Sequence, residues 1–291
     1  MGNFRLFGFN PTITTSTDPE DIWGAGGSYT FPPEGEVPAT DDGVHISSTS
    51  DSDLYGFDSE DGVGANLIRV HALDREYNEI IFDTPIYGGN AYSTGYDIFR
   101  INRMEVIKAG SNLKNVGNIH IGTGGVSGGV PVDRTYATIL ADDNVMLSSI
   151  YTVPRGSILE IDSIEVQTTA EADLIWSFHA GYGGVLKKVA SGYINNTADA
   201  GYGAHGTSDM YEFKNGPHIL EGPIDMKCKV DSVSATTGAV VTILGTLIST
   251  GETKLPEIKI SDLAIEERLY SVTSKEDDDK NIDILRKLLI R

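Results

Sequence analysis

The chain has 291 residues, enough to bury a sizeable core in one large or two small domains. Its 42 Asp and Glu against 22 Lys and Arg give a formal net charge of -20, which argues against partners held by their phosphates, nucleic acid and anionic membrane among them. A single cysteine, Cys228, excludes an internal disulfide framework, and no Cys/His cluster has zinc spacing.

The opening residues, Gly2 to Asn10, lack the continuous apolar core and small-residue cleavage site of a signal peptide. No stretch approaches the ~20 apolar residues needed to span a bilayer. Synthesis and assembly in a cytoplasm are therefore expected, and the sequon Asn195-Asn196-Thr197 then carries no glycosylation meaning. Residues 1–39 read as an extended anchoring arm. Their centre, Asp21-Ile22-Trp23-Gly24-Ala25-Gly26-Gly27-Ser28-Tyr29-Thr30-Phe31-Pro32-Pro33, has neither helix nor strand periodicity. Glycines allow positive φ and close backbone approach, prolines stiffen the exit, and Trp23 offers a large apolar surface for docking. Asp21, Ile22, Trp23, Gly24, Gly26, Gly27, Tyr29 and Phe31 are the expected interface residues of this arm.

Residues 40–122 read as a first β domain. Its acidic loop places Asp51, Asp53, Asp58 and Asp61 within twelve residues. Converging oxygens suit a hard cation, so the four form a calcium candidate, although their spacing departs from the EF-hand and a solvated loop is the plainer reading. Strands are predicted at 66–73, 77–83, 96–109 and 117–122, with Ile68, Val70 and Ala72 alternating against Arg69 and His71. Glycines and Pro131 mark residues 123–131 as a linker; without a Gly-Lys-Ser/Thr ending it is not a phosphate loop.

Residues 132–255 read as a second β domain, with strands at 135–140, 145–152, 157–168, 172–182, 185–193, 210–213, 224–233 and 240–249. The turn signals between them favour a sandwich or jelly roll over a parallel sheet with helices. Alternation places Trp176 and Phe178 in the core rather than on a sugar-binding platform with Tyr182, Tyr193 and Tyr202. Cys228 reads as a half-buried strand thiol. Residues 256–291 read as an extension ending in an amphipathic helix, with Ile282, Leu285 and Leu289 on one face and Leu288 flanking it, a face that would pack on its own sandwich or on a neighbouring subunit. So short a helix needs a surface to lie on. The predicted fold class is thus all-β: two antiparallel sandwich or jelly-roll domains, an N-terminal arm and a short C-terminal helix.

Catalysis finds no support in the pattern. His45, His71, His120, His179, His205 and His218 are scattered singly, His71 and His120 at outward strand positions. No nucleophile elbow appears, and no carboxylate pair stands out. No cofactor is expected.

Pro19-Glu20-Asp21-Ile22-Trp23-Gly24-Ala25-Gly26-Gly27-Ser28-Tyr29-Thr30-Phe31-Pro32, following Phe7-Gly8-Phe9-Asn10-Pro11, resembles the N-terminus of a family of tailed-bacteriophage virion structural proteins with an EDIW-x-GGG-x-Y signature. The similarity continues through Ile68 to Ile80, Phe99 to Arg103, Asn115 to Ile121 and the Tyr151-Thr152-Val153-Pro154-Arg155-Gly156 turn. It covers the first 160 residues or so well and the remainder loosely; the chain beyond about residue 255 departs from it. The resemblance implies a non-enzymatic particle component, made in the bacterial host cytoplasm and located in the virion. Its expected partners are major capsid or tail proteins and further copies of itself, as a trimer or hexamer. Capsid decoration, tail, baseplate, tail-tip and fibre roles all fall within it, with a receptor- or glycan-binding module as the competitor from another class.

Overall fold

The computed structural model describes residues 2–16, 18–32, 43–56, 61–195, 208–214 and 216–249. These belong to one compact unit, Met1–Pro256. The helix face carrying Ile282, Leu285, Leu288 and Leu289 lies outside the described residues.

Every regular element described is a strand. In chain order they are β1 (Gly2–Ile13), β2 (Glu20–Asp21), β3 (His45–Ser48), β4 (Ala65–Leu73), β5 (Glu79–Pro85), β6 (Tyr92–Ser93), β7 (Arg100–Ala109), β8 (Ile119–Thr123), β9 (Val126–Ser127) and β10 (Val130–Pro131). There follow β11 (Arg134–Ile139), β12 (Tyr151–Val153), β13 (Ser157–Thr168), β14 (Leu174–Tyr182), β15 (Val185–Ile194), β16 (Ser208–Glu212), β17 (His218–Glu221), β18 (Ile224–Val233) and β19 (Thr237–Ser249). All their pairings are antiparallel. The all-β antiparallel class expected from turn spacing is the class observed.

Two sheets form the larger sandwich. One runs β1-β19-β13-β16, with β17 also on β13; the other runs β12-β18-β14-β15, with β2 also on β18. Alternation along each strand aims Leu159, Ile161, Ile164 and Val166 at Leu174, Trp176 and Phe178 and at Met226, Cys228 and Val230, all of them fully or nearly fully buried. Cys228 thus sits in the core, where burial drives its thiol pKa far up. The smaller module packs β11-β8-β3-β6 against β5-β4-β7 around Ile46, Ile68, Val70, Phe82, Met104, Ile119 and Ile139.

Two expectations change. Residues 2–31 are not an extended arm. β1 pairs with β19 from Gly2↔Leu247 to Ile13↔Thr237, and Phe4 and Leu6 pack on the large core, so the alternating apolar positions of Gly2 to Ile13 are those of a sheet strand. The segment 123–131 is not a link between the two cores either. Its flanking strands β8 and β11 pair with each other, while β9 and β10 close a hairpin through Gly128 and Gly129, both at positive φ. Ser47 Oγ donates to the Gly129 carbonyl at 2.9 Å, pinning that hairpin on the outer face of its sheet.

Candidate functional site

The signature segment forms a wedge between the two modules. Asp21 and Glu20 extend the second sheet of the sandwich by pairing with Lys229 and Val230. The Ile22 N–H donates to the Cys228 carbonyl at 3.0 Å, and the Ile22 carbonyl accepts from Ser149 N–H at 2.9 Å. The chain then reverses: Gly26 N–H donates to the Trp23 carbonyl at 3.1 Å, and Asp21 N–H to the Gly27 carbonyl at 2.9 Å. Gly26 and Gly27 adopt φ of 68° and 66°, the left-handed region that side-chain-bearing residues enter at a cost. That requirement explains the glycines of the motif.

Asp21 holds the reversal closed. Its Oδ2 accepts from Tyr29 N–H at 2.5 Å and from Lys227 Nζ at 2.8 Å, while Lys227 also donates to the Tyr29 carbonyl at 2.6 Å. Burial outweighs the nearby lysine and leaves the Asp21 carboxyl above its ordinary pKa. Trp23, Tyr29 and Phe31 then stack edge to face, with ring centroids 5.2 Å and 5.1 Å apart, and Trp23 Nε1 donates to the Gly27 carbonyl at 3.2 Å. With Ile150 they make a small core of their own, in which Trp23 is 6% exposed. Trp23 is therefore an internal anchor. Its apolar surface is already used by its own chain and is not free to dock on a second protein.

The wedge ends on an ion pair. The Arg100 guanidinium, from β7 of the smaller module, meets the Asp225 carboxylate, from β18 of the sandwich, at 2.9 Å and 3.1 Å. Its carbon lies 3.9 Å from the Phe99 ring centre, 5.3 Å from that of Phe31 and 5.9 Å from that of Tyr77. Asp225 also accepts from Thr152 Oγ1 at 2.7 Å and Gly184 N–H at 2.8 Å. Asn102 exchanges two 2.9 Å hydrogen bonds with the Thr152 backbone, and Arg155 N–H donates to the Tyr77 carbonyl at 3.0 Å. Tyr77 takes a left-handed φ of 63°, uncommon for a bulky residue, and sits edge to face on Phe99. Neither Arg100 nor Asp225 was singled out by sequence reasoning.

The acidic loop is organised by its own protein. Asp53, fully buried, accepts from Ser48 Oγ at 2.6 Å and from the N–H groups of Ala65, Val116 and Gly117 at 2.7–2.9 Å. Asp51 accepts from Gly89 N–H at 3.1 Å, and Asp61 pairs with Lys108 and with Gly56 N–H. That hydrogen bond to Lys108 holds the Asp61 carboxyl below its usual range. Asp58 lies outside the described residues, among which no group of three metal-ligating side chains converges. Asp53 thus acts as a loop-bracing carboxylate, its oxygens already taken by the hydrogen bonds of its own chain.

Beside the wedge opens a cleft of about 670 Å³, lined by Trp23, Ser28, Tyr29, Asn118, His120, Asp133, Arg134 and Thr138 among others. His120 faces outward from the core of its sheet, as alternation requires, yet it is 6% exposed because the hairpin and the wedge cover that face. Its Nδ1 lies 3.0 Å from Thr138 Oγ1, and burial lowers its pKa to about 4.

No protein-family profile matches the chain, and no curated protein matches it. Among solved structures it is distantly similar to that of infectious bursal disease virus, Gt strain, at 10% identity over 87% of this chain and 74% of that one, with a TM-score of 0.22. For the Gx strain of the same virus the values are 11%, 86%, 76% and 0.18. Both scores lie below the level at which two chains share a fold.

Proposed function

We propose that the protein is a non-enzymatic structural component of a tailed-bacteriophage particle, made in the host cytoplasm and present in many copies on the capsid surface or tail. The observation that carries this reading is a convergence. The sequence strings that resemble the virion family contribute Tyr29 and Phe31, Tyr77, Phe99 to Asn102, and Tyr151 to Arg155, and all of these meet around the Arg100–Asp225 pair. Part of what resembles that family thus lies where the two β modules are joined. A body locked internally in this way suits a part that must hold its shape while repeated on a symmetric surface. The acidic composition suits an outer, solvent-facing position.

Gold labelling of the protein on purified particles tests the assignment: label on every head, or on every tail, is the expected result, and unlabelled particles would overturn it. Baseplate, tail-tip and fibre positions are separated from capsid decoration by where the gold lies. The cleft beside Trp23 favours the second reading, a receptor- or glycan-binding module. Retention of the purified chain on host-surface saccharide, with no label on particles, would favour it over the first.

A further inference from the structure

The large sandwich carries opposite charges on its two outer faces. On the β1-β19-β13-β16/β17 sheet, core-facing Leu159, Ile161, Ile164 and Val166 leave Glu160 and Glu165 pointing outward, with Asp162 exposed at the bulge between Ile161 and Ser163. Exposed Glu212 of β16 and Glu221 of β17 lie beside them, paired with Ser163 and Ile158. Among the described residues, exposed Arg5 of β1, paired with Leu244, is a cation at this face. On the β12-β18-β14-β15 sheet the wedge and the smaller module cover the outer face around Asp225 and Lys227; beyond them, core-facing Cys228 and Val230 leave Lys229 outward, and Lys188 stands across from His179, with exposed Lys187 next to it at the edge. Of the carboxylates on this side, Asp231 is shared between Lys188 at 3.6 Å and Lys229 at 3.3 Å, and Asp21 is taken by Lys227. His179 is held below its usual pKa, first by burial and then by Lys229, so it adds no charge at neutral pH.

Each face also exposes apolar side chains among its charges. Met210 (56%), Ile219 (55%) and Leu244 (42%) stand on the glutamate face, opposite Glu165, Glu160 and Ser163 in their pairings. Ile175 (42%) and Tyr193 (53%) are cross-strand partners on the lysine face. Apolar anchors ringed by charge are the usual composition of a protein interface.

We propose that the lysine face of one copy docks on the glutamate face of the next, the occupant of each face being a second copy of this chain. The two surfaces are different and lie on opposite sides of one sandwich, so the contact is heterologous. It propagates head to tail into a ring if the rotation per step closes, and into a filament if it does not. Complementary charge sets the direction of stacking and speeds encounter. This deepens the multi-copy reading above by giving it an interface, but it stands on the two faces and not on the particle.

Sedimentation velocity of the full chain at low and high salt tests it. Self-association at low salt that falls away at high salt is expected, because exposed charges are screened. Lys188→Glu/Lys229→Glu and Glu160→Lys/Glu165→Lys should each weaken association by about tenfold or more. An equimolar mixture of the two double variants should recover it, since one of the two possible contacts then joins unaltered faces and the other joins reversed ones. A monomeric wild type at low salt, variants that associate like wild type, or a mixture that stays apart would each overturn the proposal. Circular dichroism verifies the strand content of each variant; should a reversal unfold the chain, Lys188→Gln and Glu165→Gln replace it, with the same direction and a smaller loss. A monomeric chain that nonetheless occurs in many copies on particles would sink this contact and leave the virion reading intact.

Discussion

Arg100 and Asp225 are 125 residues apart in sequence and share a two-pronged ion pair at 2.9 Å and 3.1 Å, with each side chain 1% exposed. One comes from the smaller β module and the other from the sandwich, so the pair is where the two cores are fastened. Removing either partner strands a buried charge. Arg100→Ala and Asp225→Ala should each cost about 3–5 kcal/mol, read as a lowered midpoint in chemical denaturation. The Arg100→Met/Asp225→Leu double variant should recover part of that loss; a single variant within ~0.5 kcal/mol of wild type would refute the fastening role.

Trp23 predicts a stability defect before any binding defect. Trp23→Ala empties the aromatic wedge it shares with Tyr29 and Phe31 and should cost about 3–5 kcal/mol. Gly26→Ala should cost about 1–2 kcal/mol through its φ of 68°, where no neighbour lies closer than 3.7 Å to an added Cβ. Were Trp23→Ala to lose particle association at unchanged melting temperature, Trp23 would be an external anchor after all.

His120 gives the chain an acid-side weakness. Its folded pKa of about 4 lies below the ordinary histidine value of 6.5, so the unfolded chain binds the extra proton between those two values. The stability associated with neutral His120 is therefore complete above pH 6.5 and lost as pH falls toward 4, by up to about 3 kcal/mol for a shift of this size. His120→Gln should flatten the pH dependence of the denaturation midpoint over that window, and an unchanged slope would show that other groups set it.

Asp53 should behave as a structural brace. Asp53→Ala leaves Ser48 Oγ and three N–H groups without their acceptor and should lower stability by several kcal/mol, while added calcium or a chelator leaves the melting temperature of the wild type unmoved. A calcium-dependent rise in melting temperature would restore the cation reading.

Strand positions were legible because alternation is a local signal. Ile224–Val233 and Ser157–Thr168 fall where their apolar periodicity places them, and Trp176 and Phe178 are core residues as that periodicity requires. β1 was not recognised, since Gly2, Gly8 and Pro11 dilute its pattern and its partner β19 lies at the far end of the described chain. Glycines misled twice for the same reason: a positive φ serves a tight turn inside a fold as well as a flexible link, and Gly26, Gly27, Gly128 and Gly129 all do the former. The Arg100–Asp225 pair had no sequence signature, because no local spacing relates β7 to β18. Only the strings around it, Phe99 to Arg103 and Tyr151 to Gly156, hinted that these stretches share a task.

The most direct test of the central claim is quantitative mass spectrometry of washed, gradient-purified phage particles. The account predicts this protein at a fixed many-copy ratio to the major capsid or tail protein, in a multiple of three or six per particle. Its absence from particles that retain every other structural protein would contradict the claim.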